Sequence, residues 1–156
     1  MSKSSFVVHQ DPVWREHSNF VINAYLPETD QTREFEQLFA RQISDDRFEL
    51  CCIPFFLFDM ALGDIVRTAP TGGRQYVVTE VETPSGRYVF RAWFGESSYP
   101  RTEIEETLKA MGCLVEWSSR NLLAVDATDD AHAQTVADFL ADQQKARHLL
   151  YETGRS

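Results

Sequence analysis

The sequence predicts an α+β fold: a small, curved β-meander with barrel-like character, followed by a split-βαβ (ferredoxin-like) lobe. Three observations carry this. Short apolar runs separated by Gly, Pro and Asp punctuate the chain up to Phe94, as in small, strongly bent sheets. After Gly95 the apolar period lengthens to that of helices. If the run 87–94 is counted as the first strand, the remaining elements follow in the order β-α-β-β-α-β, the plait arrangement.

The individual elements follow from local patterning. A short strand fits at 6–9, and 18–26 reads as a strand with both faces partly apolar, ended by the loop Pro27-Glu28-Thr29-Asp30. The run 33–43 is strand-like, with Phe35, Leu38 and Phe39 also suiting a short helix. Ser44-Asp45-Asp46 turns the chain into a strand at 47–53. Pro54 has no N–H for a ladder, so that strand ends or bulges there. A strand at 65–69 is stopped by Pro70-Thr71-Gly72-Gly73. Strands at 75–83 and 87–94 flank the turn Pro84-Ser85-Gly86. Thr102 and Glu105 read as a capping box after Pro100, with Ile104, Leu108 and Met111 on one helical face and Gly112 as the stop. Strands at 113–117 and 122–127 enclose the turn 118–121. Asp129 or Asp130 caps a second helix whose inner face holds Val136, Phe139 and Leu140. The last apolar run, 148–152, extends that helix or forms a closing strand. Three segments result: an extension at 1–33 with one or two strands, the meander lobe at 34–94, and the plait-like lobe at 95–152.

With 156 residues, 43% hydrophobic and 11 of them Phe, the chain can bury a substantial core. No apolar run approaches the roughly 20 residues that a membrane helix needs, and the N-terminus lacks a signal-peptide pattern. A cytoplasmic location is expected. Three cysteines, two of them the adjacent Cys51 and Cys52, give neither a disulfide framework nor a zinc spacing. The net charge of −9 is spread along the chain. It disfavours nucleic acid and anionic membrane as partners, both of which require basic stripes, and favours a basic protein partner.

Each chemically suggestive cluster has a structural account. Glu103, Glu105 and Glu106 suit the positive end of a helix. Glu80 and Glu82 share a strand face but sit at a wet hairpin end, a poor place for paired-carboxylate catalysis. Asp129, Asp130 and His132 read as a cap with its first turn, and no third ligand supports a metal site. There is no nucleophile elbow and no phosphate-cradling loop. No cofactor and no catalytic residue is expected.

The segment Ile53-Pro54-Phe55-Phe56-Leu57-Phe58-Asp59-Met60-Ala61-Leu62-Gly63-Asp64 plugs a barrel end or the seam between lobes, or exposes an apolar anchor for a partner. The exposure of Phe58 separates the two. With Gly112-Cys113 and Leu122-Leu123-Ala124-Val125-Asp126, this segment resembles a bacterial family of unknown function carrying an "(I/V)PFF…ALGD" core, over residues 34–152. The chain departs from that pattern at 57–60. The resemblance implies a bacterial source and the α+β layout, and brings no activity or site residues with it.

The expected function is a non-enzymatic binding protein, an immunity protein that neutralises a cognate toxin by contact. Its partner-binding face would combine Phe58 and Trp117 with Glu103, Glu105, Glu106, Asp129 and Asp130. The competing expectations are a small-molecule sensor with a pocket lined by Trp93, Trp117 and Leu123, and an enzyme that gathers a His or Cys with acids in a cleft. The oligomeric state is not fixed by the sequence.

Overall fold

A computed structural model describes residues 6–27, 33–95 and 101–155. The first half forms β1 (Phe6–Val7), a 3-10 turn (Arg15–His17), β2 (Phe20–Tyr25), β3 (Phe35–Gln42), β4 (Arg47–Leu50), β5 (Ile65–Thr71) and β6 (Arg74–Thr83). These make one sheet in the order β1-β3-β2-β6-β5-β4, and β3 also pairs with β4, so β2 to β6 close into a barrel. Closure depends on β3. One of its edges pairs with all of β2, while the other is shared between β1, parallel at Phe35 and Glu36, and β4, antiparallel from Ala40 to Gln42. A parallel contact between β2 and β6 at Asn23 and Val77 completes the circuit. Inward positions alternate as a half-buried sheet requires: Ile22 and Ala24, Leu38 and Ala40, Phe48 and Leu50 are all buried.

The second half consists of β7 (Tyr88–Trp93), α1 (Arg101–Ala110), β8 (Leu114–Ser119), β9 (Leu122–Ala127), α2 (Asp130–Lys145) and β10 (Leu150–Thr153). Its sheet runs β10-β7-β9-β8 with every pair antiparallel, which is the ferredoxin-like order. One face carries Phe90, Ala92, Leu123 and Val125 against Ile104 and Leu108 of α1 and Val136 and Leu140 of α2. The opposite face, with Val89, Arg91, Glu116, Ala124 and Asp126, is also buried, and Val89, Ala124 and Leu114 pack into the barrel's core. The plait sheet thus lies between its own helices and the barrel.

Several expectations are adjusted. β1 and β2 are strands of the barrel sheet, and β7 belongs to the plait sheet. The run 148–152 supplies the edge strand β10. Pro70 lies within β5 rather than stopping it, and the ladder passes from Ala69–Val77 to Thr71–Arg74 without pairing it, because proline has no N–H to offer. Thr102 is the second residue of α1 rather than its cap. The capping position falls at residue 100, outside the described residues, as do 28–30 of the expected loop. Asp129 does cap α2: its side chain accepts from the His132 N–H at 2.8 Å. No helix among the described residues is long and apolar enough to cross a membrane.

Candidate functional site

Between barrel and plait lies a buried polar cluster assembled from distant parts of the chain. His9 Nε2 meets Glu36 Oε2 of β3 and His9 Nδ1 meets Glu116 Oε1 of β8, both at 2.7 Å, and all three side chains are sealed from solvent. A carboxylate can only accept, so two carboxylates on one imidazole require both ring nitrogens to carry protons. His9 is an imidazolium. Burial alone would lower its pKa. The Cys52 sulfur and the two carboxylates outweigh burial and push it up to about 12. Burial pushes the Cys52 thiol upward, and the His9 charge beside it opposes that shift.

The carboxylates also organise the phenylalanine-rich segment. Glu36 accepts the N–H groups of Phe55 (2.8 Å) and Phe56 (3.0 Å), and Glu116 accepts those of Ile53 (2.7 Å) and Val13 (3.3 Å). A loop that could not otherwise satisfy its backbone in the interior is bonded there by side chains. From the other side, Arg91 of β7 donates through Nη2 to the carbonyls of Leu57 and, at 3.4 Å, Pro54. Two cations and two anions therefore balance in the seam, as buried charges must. Asp64 closes the segment by accepting from the N–H groups of Ala61 (2.9 Å) and Ser85 (2.8 Å).

This cluster gathers a histidine with acids, but not in a cleft. The sequence reading missed it. The only signal was a glutamate in the inward phase of two strands, at Glu36 beside Leu38 and Ala40, and at Glu116 beside Leu114.

Phe55 and Leu57 are buried and Phe56 is half-buried, whereas Phe58 is 41% exposed. The Phe58 ring covers the Arg91 guanidinium at 5.2 Å. Next along this face of β7 stands Trp93, 46% exposed, directly opposite Leu150 of β10, 61% exposed. Isolated exposed hydrophobes are ordinary, whereas here three large ones lie near one another beside a buried arginine.

The other expected contact residues are dispersed. Trp117 is half-buried on the helix face against Phe94, ring centroids 5.6 Å apart. Glu103 and Glu106 are exposed on α1, and Glu105 pairs with Lys109 at 3.1 Å. Asp129 is occupied as the α2 cap, and Asp130 accepts from the Tyr88 hydroxyl. The start of α1 lies by the β8–β9 turn, where Arg101 donates to Asn121 at 3.0 Å. Its end meets α2, where His132 Nε2 lies 2.9 Å from the Met111 carbonyl. Asp129 and Asp130 are therefore at the opposite end of α1 from Glu103.

The expected sensor pocket does not form. Leu123 is fully buried, and strand alternation places Trp93 and Trp117 on opposite faces of the sheet. Glu80 and Glu82 form no catalytic pair: Glu82 accepts from Arg47 and Arg67, at 3.0 and 2.7 Å, while Glu80 faces solvent. A cavity of about 210 Å³ between residues 59–64 and β7 is lined by committed polar groups. Arg87 is paired in a fork with Asp126, and Arg155 lies over Tyr88. An outer groove is lined by His17 and Glu49, 2.9 Å apart, beside Trp14, and Glu49 also accepts from Arg41 at 3.0 Å. Among the described residues no three potential ligands converge on a metal position.

Residues 36–150 match the family described as a domain of unknown function, DUF4265. The chain belongs to that family. The matched segment contains Glu36, Arg91, Glu116 and the phenylalanine-rich loop, while His9 lies outside it. No curated protein matches the sequence. A structure titled "Novel crystal structure of a hypothetical protein from Neisseria gonorrhoeae" is similar in fold, with a TM-score of 0.73 and 17% identity, covering 89% of this chain and 96% of that one.

Proposed function

We propose that the protein is a non-enzymatic binding protein that neutralises a cognate toxin by direct contact, through the surface formed by Phe58, Trp93 and Leu150. The observation that carries the reading is Phe58. Phe55 and Leu57 beside it are drawn into the seam, while Phe58 is turned outward on a loop whose backbone is bonded at both ends. A rigid loop presenting an aromatic anchor is the geometry of a binding hot spot. The acid/base groups that meet in the interior are sealed and committed to structural bonds, which favours binding over catalysis. The net charge of −9 supports a basic partner, since complementary charge speeds encounter.

Co-expression tests the reading. The product of the neighbouring gene is expected to arrest growth alone, to be tolerated alongside this protein, and to co-purify with it. The Phe58→Ala/Trp93→Ala variant, folded as judged by its thermal midpoint, is expected to lose both tolerance and co-purification. A neighbour that is neither toxic nor bound overturns the toxin reading. Full protection by the double variant overturns the surface.

A further inference from the structure

Arg91 has more donors than the protein uses. The residue is 3% exposed, Nη2 serves the Leu57 and Pro54 carbonyls, and neither Nε nor Nη1 has a hydrogen-bond partner. A buried guanidinium with idle N–H groups is costly, and such groups are ordinarily satisfied. Glu152, the residue paired with Arg91 across the β7–β10 ladder, brings Oε1 to 3.8 Å from Nη1. That is too long for a hydrogen bond, and the Glu152 side chain is itself 57% exposed.

We propose that Arg91 is a binding site for a carboxylate carried on an apolar or aromatic group, with Phe58 as its cover and Glu152 as the internal carboxylate that the ligand displaces. The chemistry follows from the surroundings. Guanidinium selects carboxylate through directed, charge-assisted N–H bonds. The Phe58 ring over the cation, with exposed Trp93 and Leu150 alongside, offers an apolar wall for the rest of the ligand. The ring lies over the guanidinium and Arg91 is 3% exposed, so entry requires the ring to move aside. Glu152 moves to solvent, where it is already largely exposed. The carboxylate can belong to a free small acid or to the C-terminus of a polypeptide. The site shares Phe58, Trp93 and Leu150 with the contact surface proposed above, but its test reads acid binding at Arg91 and holds whether or not a toxin is bound there.

The test uses the whole protein, labelled with 15N and observed at the Arg91 Nε–H resonance. The probes are 3-phenylpropionate against 3-phenylpropanamide, and a short peptide ending in Leu-Phe with a free against an amidated C-terminus. At least one acid is expected to shift the Arg91 resonance and to bind at least tenfold tighter than its amide. The pair that does so identifies the source: free acid, chain end, or both. Glu152→Gln, a surface change that removes the competitor, is expected to tighten acid binding several-fold, and Phe58→Ala to alter it by at least as much. Acids and amides binding alike or not at all, an unmoved Arg91 resonance, or a Glu152→Gln affinity equal to wild type each overturn the proposal. Arg91→Lys serves only to assign the resonance, so the outcome does not depend on that variant folding.

Discussion

The His9 ring lies nearly parallel to the Phe55 ring, centroids 4.0 Å apart and planes inclined by 12°. A cation held flat on an aromatic face, with a carboxylate at each edge, is stabilised from three directions. The same contact fixes the first buried phenylalanine of the loop. Position 9 therefore governs the placement of residues 53–57.

Stability is expected to fall as pH rises above neutrality. The His9 pKa goes from its ordinary 6.5 to about 12 in the folded protein. Its contribution is then complete below pH 6.5 and is lost progressively up to about pH 12, by at most about 1.4 kcal/mol per pH unit. Urea midpoints at pH 6.5 and 8.5 measure the slope. Nitrogen-15 spectra of the imidazole are expected to show both ring nitrogens protonated at pH 9. His9→Gln leaves both buried carboxylates without their shared cation and is expected to cost about 3–5 kcal/mol while flattening the slope. A neutral imidazole at pH 8 would contradict the assignment.

Phe55→Ala and Phe58→Ala separate structure from surface. The first empties a fully packed position and strips the ring from His9, for an expected loss of about 3–5 kcal/mol. The second removes a half-exposed ring and its contact with Arg91, for an expected loss of about 1 kcal/mol or less. Equal losses in chemical denaturation would mean that Phe58 packs as core.

Much of this fold was legible in the sequence. Alternation in 20–25, 88–93 and 122–127 marks strands because each has a consistently apolar inward phase. Asp129 marks a helix start because its side chain has an N–H three residues on to accept from. The seam was not legible. In β7 the phase containing Arg91 reads as the wet face of an ordinary antiparallel strand, yet it is covered by the other lobe. Glu36 and Glu116 read as interruptions of apolar strands, since what satisfies them lies 19 to 107 positions away in sequence. Only three-dimensional proximity shows them to be paired.

The three cysteines are expected to resist alkylation in the native state. Burial, with Glu49 beside it, pushes the Cys51 thiol up to about 12; burial, with Asp126 near, pushes Cys113 up to about 11; burial also raises Cys52. A thiol that stays protonated is a poor nucleophile. Labelling with an aromatic disulfide reagent is expected to release no chromophore over minutes at pH 8 and about three equivalents in denaturant. Prompt native labelling of one thiol would show that it is reached from solvent.

Gly154→Ala tests the junction of the C-terminal strand with β7. An added Cβ would meet Val89 Cβ at 3.0 Å, and the Gly154 backbone is held by bonds to the Val89 carbonyl (2.8 Å) and from the Asp59 N–H (2.6 Å). Overpacking here is expected to cost about 1–3 kcal/mol, read as a lowered thermal midpoint. An unchanged midpoint would show that the strand end yields freely.

The order in which the chain is synthesised meets a constraint at Glu116. The barrel strands are complete once Thr83 has been made, but the N–H groups of Val13 and Ile53 and one edge of the His9 ring bond to a carboxylate made 33 residues later. A ribosome-bound chain whose Thr83 has left the exit tunnel and whose Glu116 has not holds a barrel whose most deeply buried cation lacks one of its two anions. Nascent chains arrested with Glu116 still inside the exit tunnel should therefore be protease-sensitive around residues 51–64, and those arrested after its emergence should be resistant. The two lobes are in this sense finished together.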